Sequence, residues 1–192
     1  RRRMLRRRSL SKTRCARGRK CYELHLPEKG WFFMSYSAAI ITVSDLASKG
    51  ARTDTSGPTV CAMLEQAGYT VIRTAVVPDE QDEIRAVLRS CADETHADLI
   101  VTTGGTGLSP RDVTPEATLA VIEREIRAIP VAMWVEGLKI TPRAMLSRAV
   151  AGTRGSSLIV NLPGSEKAAR ENLGAVLPAL EHALHMIAGE GH

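Results

Sequence analysis

The feature that most constrains this chain is an alternation of short apolar runs with stretches of helical spacing, starting at residue 38. Ala38–Val43 (AAIITV), Asp98–Thr103 (DLIVTT) and Ser157–Leu162 (SLIVNL) each hold an unbroken apolar run of three or four residues instead of an apolar residue at every second position. A strand of that kind has no solvent face and needs cover on both sides. Tyr69–Val77 reads as a further strand, ended by Pro78-Asp79. Between the strands lie helical patterns. Val60, Met63, Leu64 and Ala67 recur at helical intervals and stop at Gly68. Residues 80–93 place Ile84, Val87, Leu88 and Cys91 on one face. Thr114-Pro115-Glu116 opens another helix, with Thr114 as the predicted cap and Pro115 in its first turn. Ser165 is the predicted cap of a last helix, which Pro178 should kink or restart. Residues 129–150 give weak helical signals, broken at Pro130 and Pro142. Strands separated by helices predict a three-layer α/β/α sandwich around an open, mostly parallel sheet.

The chain's 192 residues suffice for one domain with a substantial core. Its formal charge of +5 is unevenly placed. Residues 1–33 hold twelve Lys or Arg against two Glu, whereas 34–192 hold fourteen against nineteen Asp or Glu. The expected domain, 34–192, is therefore mildly acidic, and a nucleic-acid surface on it is not supported. The basic segment 1–33 predicts a disordered extension. It lacks the apolar stretch of a secretory signal, and an upstream extension is favoured over a targeting peptide. Cys15 and Cys21 are too widely spaced for a zinc pattern, while Cys61 and Cys91 read as small core residues on helices. No disulfide framework is evident, which suits a reducing cytosol. The histidines show no metal-ligand spacing, and no apolar run is long enough to span a membrane.

In open parallel sheets, ligands bind beyond the carboxyl ends of the strands. Those ends read Ser44-Asp45, Pro78-Asp79-Glu80, the segment from Thr102 to Asp112, and Asn161-Leu162-Pro163-Gly164. Gly104-Gly105-Thr106-Gly107 is either a tight turn or a loop whose N–H groups converge on an anion. It is not a Walker A motif, because no Gly-Lys-Ser/Thr follows. Asp112 reads as a turn residue or as a carboxylate beside a phosphate loop, suited to Mg²⁺. Asp79, by local sequence, reads first as a helix cap. Asp54 or Ser56 could cap the helix that follows, and Arg148 and Lys167 read as solvated charges.

Taken together, Ser44-Asp45, the segment Asp54 to Pro58 (DTSGP), Pro78-Asp79-Glu80, the segment Thr103 to Gly107 (TGGTG), the segment Arg111 to Ala117 (RDVTPEA), the segment Leu146 to Val150 (LSRAV) and the NLPG turn resemble the MogA/MoaB molybdopterin-binding family. The resemblance runs from about residue 37 to 188 in order and spacing. It implies a trimeric cytoplasmic enzyme of molybdenum-cofactor assembly. Its reaction would be Mg²⁺-dependent transfer of AMP from ATP to molybdopterin, in the company of molybdopterin-synthesis and molybdenum-insertion enzymes. It implies Asp79 and Asp112 as the catalytic, metal-binding pair, which replaces the cap reading of Asp79. It further implies substrate contacts from Ser44, Asp45, Ser56, Gly104, Gly105, Thr106, Gly107, Thr114, Ser147, Asn161, Pro163 and Gly164.

Such chemistry needs no strong base, because a phosphate nucleophile is already anionic. It needs charge neutralisation, backbone donors and positioning. Two alternatives stand beside it: a molybdopterin carrier or scaffold without transfer, and an RNA-binding protein using the basic tail. The carrier has no need of the two carboxylates, and the RNA reading lacks a stacking platform. Trp134 and its apolar neighbours are the candidate subunit interface.

Overall fold

The computed structural model describes Lys12–Arg14, Lys20–Tyr22 and residues 36–189. The first two segments, β1 and β2, pair antiparallel within a unit of their own. The rest of the predicted disordered extension lies outside the described residues.

The main unit starts with β3 (Ser37–Val43), followed by α1 (Asp45–Ser48), α2 (Ser56–Gln66) and β4 (Thr70–Val77). Next come α3 (Gln81–Arg89), a π-helical turn (Ser90–Glu94), β5 (Leu99–Thr103), α4 (Thr114–Leu119), β6 (Arg124–Glu125) and α5 (Ala128–Leu138). A 3₁₀ turn (Pro142–Leu146), β7 (Ala151–Arg154), β8 (Ser157–Leu162) and α6 (Glu166–Ile187) complete it.

The strands form one sheet in the order β4-β3-β5-β8-β7-β6. The four strands foreseen from the sequence are its parallel part, and β7 and β6 add an antiparallel edge. That edge was not foreseen. The three-layer, mostly parallel prediction holds.

Strand alternation divides the core in two. Ala38 and Ile40 of β3, Leu99 and Val101 of β5, and Leu158, Val160 and Leu162 of β8 face α2, α5 and α6. Ala39, Ile41, Ile100 and Ile159 face α3 and α4. Each large aliphatic side chain so buried contributes about 1.5–3 kcal/mol. Cys91 is in the second core, on the π-helical turn, whereas Cys61 is only half-buried.

This layering also positions the site. The chain leaves β3 and β8 toward helices on one face, α2 and α6, but leaves β5 toward α4 on the other. Adjacent strands whose exits diverge open a crevice at their carboxyl ends. Because β5 lies between β3 and β8, its glycine loop has a crevice on each side.

Candidate functional site

Two clefts occupy these crevices. The first, about 290 Å³, is lined by Ser44, Arg52, Asp54, Ser56, Asp79, Gly104, Gly105 and Asp112, among others. The second, about 440 Å³, is lined by residues that include Thr106, Gly107, Arg143, Ser147, Pro163 and Asn172. Gly105, Asp112, Gly164 and Ser165 line both, so the clefts meet at a common wall.

That wall depends on glycine. Gly104 has φ +106, and a Cβ there would lie 2.2 Å from the Val43 carbonyl oxygen. Gly105 has φ +62, and its Cβ would lie 2.3 Å from Thr114 Oγ1. Neither position admits a side chain. The loop carbonyls are all engaged. Thr114 donates its hydroxyl to Gly104 O at 2.9 Å and its N–H to Gly105 O at 3.1 Å. Arg148 donates its N–H to Thr106 O at 2.9 Å and Nε to Gly107 O at 2.7 Å. Among the described residues, the N–H groups of Gly105, Thr106 and Gly107 have no acceptor, which leaves three donors for an anion.

Asp79 is not a helix cap. Its Oδ2 accepts the Asp45 N–H at 2.7 Å across the gap between the β3 and β4 loops, and its own N–H donates to Asp45 Oδ1 at 3.2 Å. Arg111 forks onto Asp45 at 3.0 and 2.9 Å and reaches Glu80 at 2.8 Å. This guanidinium holds Asp45 below the usual carboxylate range. Burial pushes Asp79 up, and the charges of Asp45 and Asp112 add to that. Asp112 Oδ2 accepts the Ser109 N–H at 2.8 Å.

The second oxygens of Asp79 and Asp112 accept no hydrogen bond within the described residues. No group of three or more His, Cys, Asp or Glu among those residues could hold a metal ion. Two carboxylates on one cleft nevertheless fit Mg²⁺, which keeps several waters and takes substrate phosphate oxygens beside one or two carboxylates.

Of the predicted contact residues, Ser44, Ser56, Gly104, Gly105, Thr106, Gly107, Ser147, Pro163 and Gly164 line a cleft. Three do not. Asn161 is fully buried and donates to Thr102 at 2.8 Å and Thr118 at 2.9 Å, while its oxygen accepts the Val150 N–H. It ties β8 to β5 and α4. Thr114 is also fully buried, and its hydroxyl supports the loop instead of capping α4. Asp45 braces Asp79 and Arg111.

Sequence reasoning missed Arg148 as a support of the loop, because a guanidinium bound to carbonyls has no local signature. It also missed Thr42, whose hydroxyl donates to Asp54 Oδ2 at 2.6 Å on the cleft lining. The other oxygen of Asp54 accepts the Gly57 N–H at 3.0 Å, so this aspartate anchors the start of α2. Lys167 is exposed, as expected.

A family described as "Probable molybdopterin binding domain" matches residues 39–182. Gephyrin of Dictyostelium discoideum is 42% identical over 175 residues, covering 86% of this chain but only 24% of gephyrin. A molybdopterin adenylyltransferase of Helicobacter pylori is 41% identical over 152 residues, 78% of this chain and 86% of that protein. Among solved structures, the molybdopterin biosynthesis enzyme MoaB of Thermus thermophilus is 49% identical with a TM-score of 0.77, covering 80% of this chain and 97% of the other. With its sheet, its glycine wall and its matched residues in agreement, this chain belongs to the molybdopterin-binding domain family.

Proposed function

We propose that the chain is a molybdopterin adenylyltransferase. A phosphate oxygen of molybdopterin attacks the α-phosphorus of ATP. The bond to the β-phosphate breaks, and its electron pair leaves on pyrophosphate. The observation that carries this reading is the placement of Asp79 and Asp112, from different loops, on one cleft beside free backbone donors. The common wall lets an anion in each cleft present its phosphate to the other. The loop N–H groups orient the phosphates and stabilise charge on the leaving group. Asp79 and Asp112 would hold Mg²⁺, which when bound neutralises the polyphosphate.

Three further parts belong to the proposal. The setting is the cytoplasm; no helix among the described residues is long and apolar enough to cross a membrane. The assembly is a homotrimer. Val131, Val135 and Leu138 form an exposed apolar stripe on α5, as suits a surface that a second copy covers. Molybdopterin-synthesis and molybdenum-insertion enzymes supply the substrate and take the product.

The test mixes protein, molybdopterin, ATP and Mg²⁺ and follows adenylated molybdopterin and pyrophosphate. Wild type should form both. Asp79→Asn and Asp112→Asn should each lower kcat by about 10²-fold or more. Tight molybdopterin binding without product would leave a carrier in place of the enzyme.

A further inference from the structure

We propose that Arg148 is a positioning residue that makes the glycine loop a one-sided donor surface and fixes Asp112 beside it. The anion it serves rests on the adenylyl-transfer reading. The side chain lies between the loop and the turn that follows. Nε donates to Gly107 O at 2.7 Å, Nη2 donates to Asp112 O, and Nη1 meets Glu116. Its backbone N–H takes Thr106 O. One residue thus restrains the carbonyls on both sides of the Gly107 Cα and the peptide just after the Asp112 Cα.

The ion pair with Glu116 does not explain this arrangement. Arg148 and Glu116 are 35% and 44% exposed, where such pairs contribute about 0–1 kcal/mol. What Arg148 does is chemical. A glycine peptide with an unrestrained carbonyl can rotate, bringing an oxygen where the phosphate needs an N–H. The guanidinium occupies the Gly107 and Asp112 oxygens and removes that alternative for the peptide after Gly107, whereas the Thr106 oxygen is held by the backbone N–H that any residue at 148 supplies. A lysine cannot replace it, because one ammonium cannot span the planar fork.

The experiment uses the full chain as wild type, Arg148→Ala and Arg148→Lys. Calorimetry follows the binding of inorganic pyrophosphate, and the transfer assay gives kcat and KM. Thermal melts and circular dichroism control for folding. Arg148→Ala should weaken pyrophosphate binding about tenfold or more and lower kcat. Arg148→Lys should recover little of either. Free guanidinium at millimolar concentration should restore part of both in Arg148→Ala, and nothing in Asp112→Asn. Unchanged pyrophosphate affinity in Arg148→Ala, full recovery by lysine, or a loss that follows the melting temperature without guanidinium rescue would each overturn the assignment. So would a wild type that does not bind pyrophosphate. Wild type that binds pyrophosphate but adenylates nothing would sink the proposed reaction, while the pyrophosphate arm still decides Arg148.

Discussion

Asp79 sits where a carboxylate is harder to ionise than in water. Burial and two neighbouring carboxylates raise its pKa, so ionising it costs the fold stability. The cost is absent below the unfolded pKa of about 3.9 and grows as the pH rises through the folded value. Asp79→Asn should therefore melt above wild type at pH near 7, and the difference should close below about pH 4. Thermal melts at the two pH values check this; a variant less stable at neutral pH would contradict it. In the proposed reaction the same residue costs stability and serves the chemistry. Its proposed role rests on the combination of motifs, because a Pro-Asp-Glu segment before a helix looks by itself like a cap. Asn161 shows the opposite error. Its place in the NLPG turn suggested a ligand contact, but strand alternation puts it on the Ile159 face, against α4.

At the level of elements, the central strands were legible because continuous apolar sequence permits little else. The antiparallel edge was not. β6 has two residues, and β7 reads Ala-Gly-Thr-Arg, with no periodicity to count. Pro130 and Pro142 looked like breaks but open elements: Pro130 lies in the first turn of α5, and Pro142 begins the 3₁₀ turn. The N–H each lacks would have had no helical partner there. Pro178 differs, since α6 runs unbroken through it and no new helix starts. It cannot donate to the Gly174 carbonyl, and both residues are exposed. Pro178→Ala should restore that bond and stabilise the protein by about 1–3 kcal/mol, read as a higher denaturant midpoint, without altering the transfer assay. A lower midpoint would mean that the proline fits the helix without strain.

For the molecule as a whole, the proposed trimer has a direct test. Val135 is 51% exposed at the centre of the α5 stripe. Val135→Asp should shift wild-type trimer to monomer in light scattering after size exclusion, with the circular dichroism unchanged. A monomeric wild type would remove the trimer, and a variant that stays trimeric would move the interface elsewhere. Sequence could suggest this surface through Trp134 but could not separate buried from outward residues on α5, whose apolar positions run nearly all round. The common wall has a corollary in time. Apart from Gly105, Asp112, Gly164 and Ser165, the two clefts have different linings. In the proposed reaction neither substrate therefore has to pass through the other's place, and no covalent intermediate needs to wait. Either partner can dock first, and the enzyme should saturate as a random-order ternary complex instead of by ping-pong exchange.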